Sequence, residues 1–379
     1  MAMRRWMVLP ISGALLTSVA CTDAGGPPSA DDPEGADHED REEQVQRSAG
    51  EPEVLTTDLE TPWGLDFLPD GTAVVTERDS AQLLRVDPDG TVRELATIEE
   101  AEPGGEGGLL GVAVSPDFVT DSLLYLYHTT PEDNRIVRMT YEEEAPGDDG
   151  PDMGEPEVVL SGIPQAANHN GGRIAFGPDE MLYVGTGDAA EPELAQDTDS
   201  LAGKVLRMTA EGEPAPDNPF DNHVYSYGHR NVQGLAWDDE ELYAVEFGPD
   251  VDDEVNRIEA GQNYGWPEVT GVAEQEDYVD PVLVWEDVAE ASPSGGTVVG
   301  GSIWVAALRG ERLWQLPLTD GAADAGELSA EDHFVGDYGR LRSVQPTPEQ
   351  DALWVMTSNR DGRGDPETDD DRILRIPLE

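Results

Sequence analysis

One pattern recurs six times along this chain, and it constrains the fold more than any other feature. Each copy has a small-residue start, a short apolar run, a turn, a β-rich run, a loop and a short apolar-basic run. Within each copy, apolar and polar residues alternate over short stretches, which is the period of a half-buried strand. The copies cover residues 63–87, 108–141, 171–209, 232–259, 295–318 and 341–378.

A unit of this length is typical of a four-stranded blade, which cannot bury both of its faces alone. Stacking six units around an axis buries those faces. The sequence therefore predicts an all-β fold over residues 51–379: a six-bladed β-propeller of four-stranded antiparallel blades. Residues 53–59 are predicted to add the strand that closes the last blade. A β-sandwich with coincidental repetition is the alternative.

The N-terminal region has the organisation of an exported protein. Residues 1–21 combine two arginines, an apolar stretch and a small-residue run before Cys21, which predicts a signal peptide and a lipid-modified cysteine. A plain secretory signal with an incidental cysteine is the alternative. Residues 22–50 are acidic and nearly free of large apolar side chains, which predicts a disordered linker. The expected location is extracytoplasmic, either lipid-anchored to the outer face of the cell membrane or secreted.

The charge balance excludes some partners. With 81 acidic and 22 basic residues, the formal net charge is −59, so nucleic acid and anionic membrane surfaces are poor partners. Membrane contact is expected only through the N-terminal lipid. The excess of negative charge also makes the folded chain repel itself, and salt screens this repulsion. The composition therefore favours a halophilic protein that works in high salt. The alternative is an ordinary acidic secreted protein.

Chemistry-bearing residues stand at matching places in successive repeats. His169 lies in the run Asn168-His169-Asn170-Gly171-Gly172 before the third repeat, and Arg230 stands in the equivalent run before the fourth. A neutral imidazole is a common general base near neutral pH. Three further arginines occupy similar edges of the fifth and sixth repeats: Arg309, Arg340 and Arg342. In so acidic a chain this set predicts a pocket for a polyanion. A structural histidine and solvated arginines are the alternative, and the first repeat offers no comparable motif.

An oxygen-rich segment predicts a cation site. Residues 246–256 are acidic and contain Gly248-Pro249, and residues 261–267 follow with GQNYGWP. The spacing does not match an EF-hand, but backbone carbonyls with nearby carboxylates suit Ca²⁺. One more acidic loop in an acidic protein is the alternative.

Taken together, several motifs resemble the soluble glucose/sorbosone and aldose sugar dehydrogenases, which use pyrroloquinoline quinone (PQQ). The resemblance covers about residues 52–379 and rests on PWGLDFLPDG, GGLLGVAVSPDF, NHNGGRIAFGPD, YGHRNVQGLAW, GPDVDDEVN with GQNYGWP, and GRLRSV. It implies an oxidoreductase that oxidises an aldose at its anomeric carbon to the lactone, with PQQ as hydride acceptor and Ca²⁺ as second cofactor. An external quinone or cytochrome would then accept the electrons.

The resemblance also implies residue roles. His169 matches the base that takes the anomeric hydroxyl proton, and Arg230 the residue that stabilises charge on the quinone. The implied cofactor positions are Glu106, Arg230, Asn231, Arg309, Arg340 and Arg342. Gln233 and Asp188 match positions near the substrate. The implied metal positions are Gly248 and Pro249 for the calcium beside the quinone, and Asp253, Glu254 and Tyr264 for a structural calcium.

Three departures from the family pattern bear on these roles. Glu106 replaces a glutamine, which places a carboxylate near an anionic cofactor. Phe247 replaces a polar residue before Gly-Pro, and Asn168 replaces an acidic residue, which disfavours narrow glucose specificity. A Ca²⁺-dependent lactonase-type hydrolase and a cofactor-free binding propeller remain alternatives. A hydrolase of neutral lactones has no need for several arginines around a small ligand, and a binding propeller has no need for His169 opposite Arg230.

Overall fold

The computed structural model describes residues 46–143, 151–318, 326 and 328–379. In these parts of the chain, the helical elements are α1 (Phe118–Asp121) and one 3-10 turn (Pro192–Gln196), and the remaining regular structure is β-strand. The strands form six antiparallel sheets, which confirms the predicted all-β propeller. Residues 1–45, with the predicted signal peptide, Cys21 and most of the linker, lie outside the described residues.

The first three sheets follow one another along the chain. The first contains β2 (Pro62–Phe67), β3 (Ala73–Glu77), β4 (Gln82–Val86) and β5 (Val92–Thr97). The second contains β6 (Leu109–Val114), β7 (Leu123–Thr129), β8 (Asn134–Glu142) and β10 (Glu157–Ile163), with the short β9 (Asp152–Met153) added beside β8. The third contains β11 (Ile174–Phe176), β12 (Leu182–Gly185), β13 (Lys204–Met208) and β14 (Val224–Tyr227).

The remaining three sheets complete the ring. The fourth contains β15 (Val232–Asp238), β16 (Glu241–Glu246), β17 (Asp253–Ile258) and β18 (Leu283–Trp285). The fifth contains β19 (Pro293–Val299), β20 (Ser302–Ala307), β21 (Arg312–Pro317) and β22 (Glu331–His333). The sixth contains β23 (Leu341–Pro346), β24 (Ala352–Thr357), β25 (Ile373–Pro377) and β1 (Glu53–Thr56).

The ring closes through both ends of the described chain. Strand β1 pairs antiparallel with β25, with Glu53 opposite Arg375, as predicted for residues 53–59. The innermost strand β23 of the last sheet also contacts β2 of the first. At the end of the predicted linker, Ser48 and Glu379 exchange backbone hydrogen bonds of 3.1 and 3.0 Å, and Gly50 donates to the carbonyl of Pro377. The structure therefore places residues 48–50 against the propeller.

Apolar faces of neighbouring sheets pack together and form the core. One cluster joins the first and sixth sheets, where Phe67 and Trp354 meet edge to face with ring centroids 5.0 Å apart. Glycines allow the innermost strands to converge on the axis: a Cβ at Gly111 would lie 2.2 Å from the carbonyl oxygen of Gly172. This convergence brings the loops at one end of the channel close to each other.

None of the helices among the described residues is long and apolar enough to cross a membrane.

Candidate active site

His169 and Asp188 form a hydrogen-bonded pair at the mouth of the channel. His169 Nδ1 lies 2.7 Å from Asp188 Oδ1, and the Asp188 side chain is fully buried while that of His169 is 14% exposed. The two loops approach so closely that a Cβ at Gly187 would lie 1.9 Å from the carbonyl oxygen of His169. A carboxylate on Nδ1 holds the ring in the tautomer whose Nε2 is a free base. Asp188, predicted near the substrate, therefore lies beneath the imidazole.

Trp266 fixes the other side of Asp188. Its Nε1 donates to Asp188 Oδ2 at 2.9 Å, while the backbone N–H of Ala190 donates to Oδ1. The backbone N–H of Asp188 donates to the carbonyl of Arg230 at 2.8 Å, which ties the third blade's loop to the fourth's. Asp188 thus connects His169 to the arginine that sequence analysis placed opposite it.

Glu106 lies beside His169 and is paired with an arginine from the sixth blade, one blade beyond its neighbour. Its Oε2 accepts the backbone N–H of His169 at 2.9 Å, and its Oε1 lies 3.0 Å from Arg363 Nη2. Burial alone would raise the pKa of Glu106, but the His169 hydrogen bond and the charge of Arg363 outweigh it and hold the pKa below its usual value. Glu106 is therefore an anion that already has a cationic partner.

Arg230 and Asn231 present unpartnered donors. Arg230 Nη1 donates to the carbonyl of Phe247 at 3.2 Å, and its guanidinium lies 5.5 Å from the Trp266 ring centroid. Asn231 is fully buried, and its Oδ1 accepts the N–H of Gly171 at 2.9 Å. Arg230 Nε and Asn231 Nδ2 are buried without hydrogen-bond partners in the described structure. Such donors are rare unless an acceptor occupies the site.

Arg340 and Arg342 share one carboxylate. Asp361 Oδ2 lies 2.9 Å from Arg340 Nη2 and 3.8 Å from Arg342 Nη2. Burial opposes the ionisation of Asp361, but the two arginine charges are stronger and lower its pKa. Gln233, predicted near the substrate, accepts a 2.9 Å hydrogen bond from Arg342 Nη1 on its side-chain oxygen. Gln233 therefore lies beneath the mouth and orients Arg342.

Arg309 is the predicted cofactor residue that stands apart from these contacts. It is exposed, whereas Arg340 and Arg342 are buried. Its charge nevertheless reaches Asp253 and favours the ionised form of that carboxyl. The structure therefore places Arg309 within electrostatic range of the predicted metal residue Asp253.

The predicted metal residues line one small cavity. Gly248, Pro249, Glu254 and Tyr264 surround it together with Glu246, and its size suits one water molecule or one ion. Asp253 does not line it: its two oxygens accept the backbone N–H groups of Gly248 and Ser292 at 2.9 and 2.7 Å. Among the described residues, no three His, Cys, Asp or Glu side chains form a metal-binding group. A cation held here would use backbone carbonyls with one or two carboxylates.

Burial makes the carboxyl groups beside this cavity costly to ionise. Burial raises the pKa of Glu246 to about 8, and burial together with Glu246 raises that of Glu254 to about 8. Glu246 also contacts His229 Nδ1 at 3.0 Å, and burial lowers the pKa of that histidine to about 3. The hydroxyl of Tyr264 is engaged by the carbonyl of Arg257. A hard cation fits the oxygen-rich wall, although Arg230 also lines the cavity and opposes it.

Several residues that contact the candidate site residues were not predicted from the sequence. Asp361 and Arg363 stand in the long loop between β24 and β25, which matches no motif. Arg78 shows that the first blade does contribute: it is buried, paired with Asp79 at 2.6 Å, and within electrostatic range of Glu106. Lys204, the sole lysine, donates to three backbone carbonyls at 2.6 to 3.0 Å and thereby holds the loop that follows Asp188. Its uniqueness in the sequence was the one available signal.

Fold and site together define a six-bladed β-propeller whose channel mouth combines a carboxylate-bound histidine with clustered arginines. The glucose/sorbosone dehydrogenase family model matches residues 59–374. The chain belongs to this family.

One solved structure and two curated relatives agree with that assignment. The PQQ-bound form of aldose sugar dehydrogenase from Streptomyces coelicolor is 52% identical, with a TM-score of 0.82, and the match covers 87% of this chain and 98% of that one. Quinoprotein glucose dehydrogenase B of Acinetobacter calcoaceticus is 33% identical over 59% of this chain and 54% of its own length. Aldose sugar dehydrogenase YliI of Escherichia coli is 33% identical over 58% of this chain and 62% of its own length. The match thus spans little more than half the length of these curated relatives.

Proposed function

We propose that this protein is a PQQ-dependent aldose sugar dehydrogenase that oxidises the anomeric carbon of an aldose to the lactone. The observation that carries the proposal is the His169–Asp188 pair, with Nδ1 and Oδ1 2.7 Å apart, beside arginine-lined walls. Family membership and the PQQ-bound neighbour at 52% identity support it.

Proton transfer is assigned to His169. Nδ1–H donates to Asp188, which leaves Nε2 to take the proton of the anomeric hydroxyl. Asp188 does not itself accept the proton; it stabilises the imidazolium and fixes the ring. Trp266 and the backbone of Ala190 hold Asp188 in turn, so the base is oriented before the sugar arrives.

The donor set suits PQQ, a polycarboxylate with vicinal carbonyls. Arg340, Arg342 and Arg309 would hold its carboxylates, since guanidinium groups pair with carboxylates in a forked geometry. Arg230 Nε and Asn231 Nδ2, which lack partners in the described structure, would donate to oxygen that becomes negative during the reaction. When bound, PQQ supplies the carbonyl that accepts the hydride.

Calcium would occupy the small cavity beside Gly248 and Pro249. Backbone carbonyls and the carboxylate of Glu254 are the hard oxygen donors that Ca²⁺ prefers. A cation there would offset the cost of ionising Glu246 and Glu254, whose pKa values are raised to about 8 by burial. Asp253 would act indirectly, because it holds the N–H of Gly248.

Export, lipidation at Cys21 and electron transfer to an external quinone or cytochrome complete the proposal. They rest on the sequence of residues 1–50 and on the need to reoxidise the cofactor. The strongly acidic composition supports function in high salt.

The decisive experiment reconstitutes the mature protein with PQQ and Ca²⁺ in high salt, then supplies aldoses and a redox dye. We expect dye reduction, and quinone absorbance that remains after desalting. His169→Ala should abolish turnover while PQQ stays bound. Absence of both dye reduction and retained absorbance would reject the proposal, and lactone hydrolysis without PQQ would favour a hydrolase instead.

A further inference from the structure

Arg173 places a buried positive charge in the channel, and the proposed function assigns no role to this residue. It follows the glycines of the His169 loop and is only 3% exposed. Nε donates to the backbone carbonyl of Gln233 at 2.8 Å, and Nη1 to Ser343 Oγ at 3.4 Å. Nη2 is buried without a hydrogen-bond partner in the described part of the chain.

No carboxylate compensates this charge within the described residues. Burial lowers the pKa of the Arg173 guanidinium to about 9. The closest support is the face of Trp63, whose ring centroid lies 4.4 Å from the guanidinium carbon. An indole face stabilises a cation only modestly and does not neutralise it.

Arg342 contacts the same two residues as Arg173, namely Trp63 and Gln233. Its guanidinium carbon is 5.8 Å from the Trp63 ring centroid, and its Nη1 donates to the side-chain oxygen of Gln233. Its Nε is also buried without a partner in the described structure. Gln233 thus joins two buried arginines, one through its backbone carbonyl and one through its amide oxygen.

Counting charges shows what this part of the channel lacks. Arg173, Arg340 and Arg342 are three buried cations, and Asp361 is the one carboxylate paired with any of them in the described residues. Two positive charges remain without a counter-ion. Burying uncompensated charge is costly, so such a set is expected to be completed by an anion.

We propose that Arg173 and Arg342 form a buried anion site at the floor of the mouth, and that its occupant is a carboxylate of the cofactor. The identity of the occupant rests on the proposed function. A small inorganic anion such as chloride has the same charge complementarity and is the other source to be distinguished. In either case Arg173 is an anion-binding residue.

The test compares Arg173→Gln, Arg173→Lys and the control Arg375→Gln, whose arginine pairs with Asp351 on an outer strand. PQQ affinity is measured by tryptophan fluorescence quenching of the apoprotein, and thermal unfolding of the apoprotein is followed in parallel. We expect Arg173→Gln to weaken PQQ binding by about 10- to 100-fold and Arg173→Lys by less, while Arg375→Gln has no effect. The unfolding temperature of apo Arg173→Gln should be unchanged or higher, because an uncompensated buried charge is removed.

A structural role for Arg173 predicts the opposite pattern: a lower unfolding temperature with unchanged PQQ affinity. Replacing chloride by methanesulfonate, which is neither a carboxylate nor a sugar acid, at constant cation concentration separates the two anions. A chloride-dependent unfolding temperature that Arg173→Gln abolishes, with unchanged PQQ affinity, overturns the carboxylate as occupant. If Arg173→Gln changes neither the PQQ affinity nor the chloride dependence of the unfolding temperature, the anion site is overturned. If the wild-type protein binds no PQQ, the proposed function fails, and the chloride comparison still tests the site. Arg173→Lys provides the measurement if Arg173→Gln does not fold.

Discussion

Glu106 Oε1 and Arg363 Nη2 lie 3.0 Å apart although 257 positions separate them in the chain. The pair spans from the second blade to the sixth, and Glu106 also accepts the backbone N–H of His169. A carboxylate at this position is therefore compatible with an anionic cofactor, because Arg363 balances its charge. The negative charge that Glu106 introduces in place of a glutamine is thus balanced by the positive charge of Arg363.

Removing the charge of Arg363 and removing the charge of Glu106 should change PQQ affinity in opposite directions. Arg363→Gln should weaken binding by up to about fivefold, a modest effect because the Arg363 side chain is 57% exposed. Glu106→Gln should strengthen binding while retaining an oxygen for the His169 N–H. In the double variant the loss of Arg363 should cost little. Equilibrium titration with PQQ checks this cycle, and additive effects would show that the two residues act independently.

Asp188→Asn should lower kcat by about 100- to 10,000-fold without loss of PQQ, because the amide no longer fixes the basic tautomer of His169. Trp266→Phe removes one hydrogen bond to Asp188 and should reduce kcat by about tenfold or less. Steady-state kinetics with dye reduction measures both. We expect the larger loss of kcat from Asp188→Asn, and equal losses in the two variants would contradict this prediction.

Removing calcium should lower the unfolding temperature, and Ca²⁺ should restore it better than Mg²⁺. At a 100-fold excess over its dissociation constant, the ion would contribute about 2.7 kcal/mol to the free energy of unfolding. Calorimetry with a chelator measures this effect. Glu254→Gln should reduce it, whereas Glu259→Gln, a change at an exposed ion pair, should not. A chelator-insensitive protein would contradict the calcium site.

His128 should make stability fall in mild acid. It is 1% exposed, both ring nitrogens lack partners in the described structure, and burial lowers its pKa to about 4. Its pKa in the unfolded chain is about 6.5, so the unfolded state binds the proton first. Stability is therefore lost as the pH falls from about 6.5 towards 4, by about 2 kcal/mol at pH 5. His128→Leu should remove this component in chemical denaturation, and parallel pH curves for both proteins would contradict it.

Salt should stabilise the folded protein. With 81 acidic and 22 basic residues, repulsion is strong when the Debye length is about 10 Å, at 0.1 M salt. Raising KCl to 2 M should raise the unfolding temperature, whereas an uncharged osmolyte of equal osmolality should raise it less. An unfolding temperature that is unaffected by KCl would argue against salt adaptation.

The propeller was predictable because its information is local. Buried and more exposed residues alternate along β14 and along the second half of β8, and this period is visible in any one repeat. The turn at Pro69-Asp70-Gly71 is also recognisable from its own residues. His169, Arg230, Arg340 and Arg342 were predicted as site residues because they stand beside glycine-rich motifs at matching positions. Asp361 and Arg363 were not, because a loop without a repeat carries no positional signal.

The sequence by itself determined six blades, the strand that closes them and the residue types at the mouth, since strand period and turn chemistry depend on near neighbours. Only the tertiary structure decided the pairings: Asp188 beneath His169, Arg363 against Glu106, and Arg173 beside Arg342 without a counter-ion. These depend on how closely the inner strands converge and on which buried charges meet. Convergence and burial are properties of the closed ring, and no single blade contains them.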